Sequence, residues 1–434
     1  MRRINIFNLS GINDFRDKLL FWLKQKDVYA FLNSNGLDIK YGSYDFLCAV
    51  GSKDEFICSE NNIMAAFKKY FYSHTDWLFG FFTYDLKNEL EKLTSKNFDG
   101  VGMPLIHFFV PSLVLYQKEN LLYVAYHEED YTPEEIVLLF GHISNINIGG
   151  GHQVNNVFAE IQSRVSKARY LKKMDVIKKH IQQGDIYEMN YCIEFFSSFS
   201  GAVDISALYM SLNHISPAPL SCIYKLRDKG LICTSPERFL KKTGQQMISQ
   251  PIKGTIKRGE SSAEDEVLKM MLAQSEKEKS ENVMIVDLVR NDLSHFAQAA
   301  SVRVEELFGI YSYAQVHQMI STIGCKLKED CCIVEPLLKC FPPGSMTGAP
   351  KIRAMQIIED VEDTKRGLYS GAVGYFTPEK DFDFNVVIRS ILVNNTTKYV
   401  SLMAGGAITS QSVPEMEYEE CLLKARAMMK ILNG

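Results

Sequence analysis

The chain has 434 residues, of which 46% are hydrophobic and 23% are charged. This composition is typical of a folded globular protein and excludes a mainly disordered chain. The formal net charge of -4 leaves no broad basic field, so nucleic acid is not expected as a partner. We therefore expect small molecules and other proteins as partners.

The sequence predicts no membrane span. The longest uncharged apolar candidate, residues 101–117, contains Pro104, His107 and Pro111, and is better interpreted as a pair of strands. No apolar segment typical of a secretory signal follows the amino terminus. The ten cysteines form no C-x-x-C pair, which favours a reduced, cytoplasmic location.

The first region alternates strand-like runs with short amphipathic stretches. Residues 121–126 have the composition of a strand, and residues 15–23 have the pattern of a helix. Asn145–Gly151, which ends in three glycines, is the best linker in the chain. We therefore divide the chain into an amino-terminal region, residues 1–155, and a larger catalytic region, residues 160–432.

The second region also mixes helices and strands. Because its strands pair more naturally as antiparallel meanders than as repeated βαβ units, the predicted fold class is α+β. The predicted elements are helices at 168–183, within 261–297 and at 415–432, and strands at 220–224, 231–234, 384–393 and 398–404.

Lys253 stands between Pro251 and Gly254, where the backbone is restricted on one side and permissive on the other. An amine is a nucleophile only when it is neutral, and the cations Lys257 and Arg258 are predicted to lower its pKa by repulsion. Lys253 is therefore a candidate covalent catalyst. The alternative is an ordinary exposed lysine in a turn.

Acidic residues on the helical segments suggest a metal site. Glu417, Glu420 and Lys424 share one face of the last predicted helix, and Glu281 opens another apolar run. A few hard oxygen ligands on helices suit magnesium that also binds an anionic substrate and water. The alternative is a solvated charged helix face.

Two glycine-rich segments and one arginine suggest a binding site for an anion. Residues 341–351 form a loop that leads into a helix, whose free amides can bind a carboxylate or phosphate. Residues 404–407 permit a close approach of backbone to ligand. Arg389 lies in an apolar strand pattern, where a guanidinium requires an anionic partner.

Five motifs follow one another along the chain: SPERF at 235–239, PIKGT at 251–255, ENVMIVDLVRND at 281–292, GSMTGAPKIRAM at 344–355 and EYEEC at 417–421. In this order they resemble the motifs of the chorismate-utilising enzymes, over roughly residues 161–432. The resemblance implies a core of two antiparallel sheets packed as a β-sandwich, with helices on the outside.

The resemblance also implies a reaction. Magnesium would hold the ring carboxylate of chorismate through Glu281, Glu417 and Glu420, and Glu237 would be the general acid that protonates the departing hydroxyl. Glu237 could instead be a structural ion-pair partner of Arg238 or of another cation. Lysine at position 253 is similar to the branch that aminates chorismate to 4-amino-4-deoxychorismate, whereas anthranilate-forming members have alanine there.

Further residues match substrate-binding positions of the family. Arg389, Tyr375 and Lys424 would bind the substrate carboxylates, although Tyr375 could also be a core aromatic. Two residues depart from the family pattern. Glu188 stands where glutamine is more frequent, and its carboxylate could guide ammonium or alter the acid-base balance. Gln318 stands where anthranilate synthases often have histidine. The backbone positions expected to assist are Thr347, Gly348, Gly405 and Gly406.

The cysteines and the family resemblance also predict partner molecules and leave alternative functions open. None of the ten cysteines lies in a G-x-C-x-G elbow, so a separate glutamine amidotransferase subunit is expected to supply ammonia. Phe31–Ser34 resembles a family element that can line a tryptophan pocket. The alternative functions are anthranilate or isochorismate synthesis, or a non-catalytic relative that binds chorismate or tryptophan.

Overall fold

The computed structural model describes residues 2–37, 40–58, 63–148, 158–314 and 316–433. Helices and antiparallel strands alternate along this part of the chain, as the α+β prediction requires. The strands are β1 (Arg3–Asn8), β2 (Val28–Asn33), β3 (Phe46–Val50), β4 (Asp54–Cys58), β5 (Leu78–Phe82), β6 (Ile106–Val110), β7 (Leu113–Lys118), β8 (Leu121–Tyr126), β9 (Gln162–Ser163), β10 (Glu188–Ser198), β11 (Leu220–Leu226), β12 (Lys229–Ser235), β13 (Arg238–Thr243), β14 (Gln246–Gln250), β15 (Ile252–Lys257), β16 (Arg303–Ser312), β17 (Val316–Lys326), β18 (Gly348–Ala349), β19 (Ala372–Phe376), β20 (Phe382–Asn385), β21 (Ser390–Asn394) and β22 (Tyr399–Ile408).

Local sequence signals explain several helix boundaries. Thr132 and Glu135 form a capping box at the start of α4, with Pro133 in its first turn, and Ser275 caps α8 where the preceding helix ends. The helices are α1 (Phe15–Leu23), α2 (Ile63–Ser73), α3 (Lys87–Leu90), α4 (Pro133–Ser144), α5 (Lys167–Gln182), α6 (Ile205–Ile215), α7 (Ser262–Gln274), α8 (Glu276–Ser294), α9 (Val334–Lys339), α10 (Lys351–Val361) and α11 (Pro414–Asn433).

Two large sheets organise the molecule. Within the described residues, the first sheet has twelve strands in the order β1-β8-β7-β3-β2-β11-β12-β21-β22-β10-β18, with β9 beside β10. The second has ten strands in the order β15-β17-β14-β13-β20-β19-β5-β6-β4, with β16 beside β17. Both sheets include strands from either side of residue 155, and β2 pairs directly with β11. The division into 1–155 and 160–432 stays a prediction, and the glycines 149–151 of the proposed linker lie outside the described residues.

The hydrophobic side chains form two layers. One cluster joins residues of both sheets, such as Ala49 on β3 and Phe81 on β5, and therefore fills the space between them. The other cluster lies between the first sheet and an outer layer of helices, with Leu19 on α1 and Met428 on α11 among its members. Removal of this apolar surface from water is the main driving force for the arrangement.

Most predicted elements are confirmed, including the helix at 15–23, the strand at 121–126 and the final helix. The single strand predicted at 384–393 is wrong, because β20 belongs to the second sheet and β21 to the first. Residues 386–389 cross between the sheets, and the apolar residues 386–388 therefore resemble a strand without being part of one. The small-residue run at 404–407 does not follow a strand but lies within β22.

None of the described helices is both long enough and apolar enough to cross a membrane.

Candidate active site

A cavity of about 990 Å³, including its open mouth, lies where β15, β22, α8 and α11 meet. Charged side chains from distant parts of the sequence face this space. The polar and charged side chains that line it include Glu237, Lys253, Lys277, Glu278, Glu281, Gln318, Ser345, Tyr369, Arg389, Glu417, Glu420 and Lys424.

A β-bulge places Lys253 in the cavity. The register between β15 and β17 shifts between Ile252 and Thr255, and Gly254 within the shift has φ of 96°. Glycine adopts this backbone conformation without strain, and an extra residue in a strand redirects the neighbouring side chains. Lys253 is consequently buried, with 8% of its surface exposed, rather than an exposed turn lysine.

Carboxylates, not cations, surround the amine of Lys253. Its Nζ lies 3.3 Å from Oε1 of Glu188. Burial disfavours the ammonium, but Glu188, Glu281 and Glu237 outweigh burial and raise the pKa of Lys253 above its ordinary value. The predicted lowering by Lys257 and Arg258 is therefore wrong. Arg258 instead pairs with a carboxylate on α7, and Lys257 is exposed.

Glu237 is a buried carboxyl group close to Lys253. It lies in the link between β12 and β13 and is 4% exposed. Burial raises its pKa to about 7, although Ser345 and Lys253 oppose the shift. A carboxyl group with this pKa is suited to donate a proton near neutral pH. Arg238 is not its partner, because the guanidinium of Arg238 donates to Asp383 at 2.9 Å.

Four glutamates on two helices face the same part of the cavity. Glu278 and Glu281 lie on α8, and Glu417 and Glu420 lie on α11. Burial raises the pKa of Glu281 to about 7, and its Oε1 has no hydrogen-bond partner among the described residues. Glu278 is not among the metal ligands predicted from the sequence. Its spacing from Glu281, three residues on a helix, repeats the spacing of Glu417 and Glu420 and could have identified it.

The ammonium of Lys277 lies between these carboxylates. Its Nζ is 3.8 Å from Oε1 of Glu281 and 3.7 Å from Oε1 of Glu417. Among the described residues, no three histidine, cysteine, aspartate or glutamate side chains are close enough to enclose a metal ion by themselves. The donors nevertheless suit magnesium, since this ion prefers oxygen and is usually held by one or two carboxylates together with waters and substrate oxygens.

Arg389 is the cation in the cavity that lacks a carboxylate partner among the described residues. It has φ of 50° at the crossing between the two sheets, an unusual backbone conformation for a residue other than glycine. Burial lowers its pKa. A guanidinium in this setting is favourable only when an anion binds it, so the position marks a binding site for a carboxylate.

Lys424 and two glycines form the wall beside the glutamates. The Nζ of Lys424 lies 2.8 Å from Glu420 and donates to the carbonyl of Gly405 at 3.0 Å. A Cβ at Gly405 would lie 2.1 Å from the carbonyl oxygen of Tyr191, so β10 and β22 can approach only because this residue is glycine. At Gly406 a Cβ would project toward Glu417, Glu420 and Lys424 at 3.5–3.8 Å.

Five predicted residues are not among those that line the cavity: Glu188, Thr347, Gly348, Tyr375 and Gly406. The amide of Thr347 donates to the carbonyl of Gly344 at 3.1 Å, so it is not free for a ligand. Gly348 pairs with β10, and a Cβ there would lie 2.2 Å from the carbonyl oxygen of Glu188. Tyr375 lies in β19 and faces a different cavity. Tyr369, six residues earlier, lines the active-site cavity instead, and the sequence offered no pattern that would separate these two tyrosines.

Tyr375 lines a second cavity of about 480 Å³. Leu32, Asn33 and Ser34 contribute to it, as predicted for the Phe31–Ser34 segment, together with Tyr44. The polar groups here are paired, since Arg238 donates to both Asp383 and Gln250.

The sequence was compared with known families and proteins. A sequence model of the chorismate binding enzymes matches residues 25–430. The chain belongs to this family. Aminodeoxychorismate synthase component 1 of Bacillus subtilis is 31% identical over 408 residues, which cover 90% of this chain and 86% of the relative.

Other members of the family differ in length or in sequence. The chloroplastic aminodeoxychorismate synthase of Arabidopsis thaliana is 43% identical over 265 residues, which cover 60% of this chain but 28% of the plant protein. This chain therefore spans about a third of the length of several relatives, with coverage of 28 to 37%. Anthranilate synthase component I of Streptococcus pneumoniae has the same fold, with a TM-score of 0.77, 22% identity and coverage of 91% and 93% of the two chains.

Proposed function

We propose that this chorismate binding enzyme converts chorismate and ammonia to 4-amino-4-deoxychorismate. The observation that carries the proposal is the presence of a buried amine, Lys253, and a buried acid, Glu237, in one cavity with the guanidinium of Arg389. A protein that only binds chorismate has no need for both a nucleophile and an acid. The names of the relatives in Bacillus and Arabidopsis support the same activity.

Binding would rest on charge. Arg389 and Lys424 would bind substrate carboxylates. Glu281, Glu417 and Glu420, with Glu278, would hold Mg²⁺, which supplies positive charge that orients and neutralises the ring carboxylate. Lys277 would have to move away from the two carboxylates that it contacts. Closure of the cavity around the substrate would strengthen these interactions by excluding water.

The chemistry would proceed in two substitutions. The neutral amine of Lys253 forms a bond to the ring, the carbon–oxygen bond of the hydroxyl breaks, and the proton of Glu237 leaves with the hydroxyl as water. Ammonia then forms a bond at the vacated carbon, and the bond to Lys253 breaks with return of the electron pair to its nitrogen. The new ammonium gives a proton to the carboxylate of Glu237, which restores the acid.

Product analysis tests the proposal. The chain is incubated with chorismate, magnesium and ammonium, and the products are separated by chromatography. We expect 4-amino-4-deoxychorismate from the unmodified chain and its loss in Lys253→Ala. Lys257→Ala is the matched control, because Lys257 lies on the same strand but is exposed. Anthranilate or isochorismate as the main product would contradict the proposal and support a sister activity.

Magnesium dependence is tested separately by binding. Isothermal titration of the metal-free protein with Mg²⁺ in the presence of chorismate should show saturable binding that Glu417→Gln weakens. Equal binding by both proteins would contradict the assignment of Glu417. Removal of the metal with a chelator should abolish turnover, and added Mg²⁺ should restore it.

We also propose that ammonia comes from a separate glutamine amidotransferase subunit. The designation "component 1" of the Bacillus relative supports this. The chain alone should use ammonium but not glutamine as its nitrogen source. Product from glutamine without a second protein would contradict the proposal.

For the second cavity we propose tryptophan as the ligand, because aromatic Tyr44 and Tyr375 border it beside the polar Asn33 and Ser34. Equilibrium dialysis with labelled tryptophan should detect binding that Tyr44→Ala weakens and Arg389→Ala leaves unchanged. Loss of binding only in Arg389→Ala would place the ligand in the other cavity and refute this proposal.

A further inference from the structure

Glu188 is the direct ionic partner of the nucleophile assigned above. It begins β10, is 3% exposed, and its Oε1 lies 3.3 Å from Nζ of Lys253. Its backbone is fixed by pairing with Ala349 on β18, and the absence of a side chain at Gly348 permits this close pairing. The position of the carboxylate relative to Lys253 is therefore set by two strands rather than by a loop.

The second oxygen of this carboxylate is unused. Oε2 of Glu188 is buried and has no hydrogen-bond partner among the described residues. A buried carboxylate oxygen without a partner is costly, and a catalytic role is one explanation for such a group in a native protein.

We propose that Glu188 is the base that removes a proton from the ammonium of Lys253. This inference rests on the proposed function, in which Lys253 must be neutral to attack the ring. The balance is simple: the proton moves from Nζ to the carboxylate, which leaves a neutral amine and a neutral carboxylic acid. After the second substitution has returned Lys253 as a neutral amine, Glu188 returns the proton.

Desolvation makes this transfer accessible. Two opposite charges taken out of water lose hydration, whereas a neutral amine and acid lose much less, so substrate that covers the pair favours the neutral forms. The other charged groups around the pair are Glu237 before β13, Glu278 and Glu281 with Lys277 on α8, Glu417 and Glu420 with Lys424 on α11, and Arg389 at the crossing between the sheets. None of them forms an ion pair with Nζ of Lys253 within 4 Å, whereas Glu188 does.

The experiment compares the unmodified chain with Glu188→Gln, which keeps the shape but cannot act as a base. Turnover with chorismate, magnesium and ammonium is measured across pH. In parallel, Lys253 is labelled with acetic anhydride without chorismate, and the labelled peptide is quantified by mass spectrometry. Glu194→Gln is the control, since Glu194 is another buried glutamate of β10 whose oxygens all have partners outside the cavity.

The two readouts should move in opposite directions. Removal of a neighbouring carboxylate makes the free amine of Lys253 more abundant, so labelling at a given pH should rise in Glu188→Gln. Turnover near neutral pH should fall on the order of 100-fold. The deficit relative to the unmodified chain should become smaller toward alkaline pH, because the proton must then go to solvent, whereas loss of the Glu237 proton lowers turnover equally in both proteins. Glu188→Asp should restore part of the turnover and should make the deficit independent of pH.

A purely structural role gives a different result. If the pH profile of Glu188→Gln runs parallel to that of the unmodified chain, the base assignment is overturned. If the unmodified chain itself forms no 4-amino-4-deoxychorismate, the proposed function fails instead. If only the base assignment fails, the unmodified chain still forms this product and Lys253→Ala does not.

Discussion

Each of the two cavities is lined by one arginine, Arg238 buried and Arg389 half-buried, and the two are used in opposite ways. In the second cavity Arg238 is paired with Asp383 and with the side chain of Gln250. In the active-site cavity Arg389 has no carboxylate partner among the described residues. The pairing of Arg238 therefore serves the fold, whereas the unpaired guanidinium of Arg389 is available to bind an anionic ligand.

Other polar groups are also left open at the active site. Buried oxygens of Glu188, Glu281 and Gln318, which lie in or beside the active-site cavity, have no hydrogen-bond partner among the described residues. Unpaired polar groups cost stability, so a bound substrate is expected to complete them.

The largest expected effect tests the acid in the active-site cavity. Glu237→Gln should reduce turnover on the order of 10²- to 10⁴-fold, because the departing hydroxyl loses its proton donor. In the unmodified chain, turnover should fall as pH rises through about 7, where Glu237 loses its proton. Steady-state rates across pH measure both effects. A Glu237→Gln variant that retained this alkaline fall would show that another group titrates.

The two arginines provide a matched pair for the next test. Arg238→Ala should lower the free energy of unfolding by about 3 kcal/mol, because the buried Asp383 then keeps only Lys241, at 3.7 Å, as an ionic partner. Arg389→Ala should leave stability nearly unchanged but raise KM for chorismate roughly 10- to 100-fold, as expected for loss of a charged hydrogen bond. Denaturant unfolding and steady-state kinetics measure the two effects. Similar losses of stability in both variants would contradict the division between the cavities.

A smaller effect concerns stability and pH. The pKa of Glu237 is raised from 4.5 to about 7 in the folded chain, so between these values the folded state holds a proton that the unfolded state has lost. The free energy of unfolding must therefore fall as pH rises through this window. Glu237→Gln should remove up to about 3 kcal/mol of that fall, while the similar shift at Glu281 maintains the remainder. Identical pH dependence of unfolding in both proteins would show that Glu237 is not shifted.

The sequence predicted much of the site because motifs fix residue types. Lys253, Glu237, Arg389 and the glutamates of α11 all line one cavity. Periodicity also located the longer helices, since an apolar stripe with a capping residue is a local signal.

The features of the site that could not be predicted from the sequence depend on contacts between distant segments. The crossing at Arg389 is apolar on both sides, so it has the same pattern as a buried strand. The environment of Lys253 is set by Glu188 and Glu281, whereas its neighbours in sequence, Lys257 and Arg258, suggested the opposite shift. Tyr369 precedes β19 and Tyr375 lies within it, and packing decides which cavity each tyrosine faces.

The central claim is that Lys253 becomes covalently attached to the substrate. Enzyme mixed with chorismate and magnesium in the absence of ammonium, quenched rapidly and digested, should give the peptide that contains Lys253 with the added mass of chorismate less one water. The adduct should be absent from Lys253→Ala and should disappear when ammonium is added before the quench. An unmodified Lys253 peptide at every time point, while ammonium still supports formation of 4-amino-4-deoxychorismate, would contradict the account.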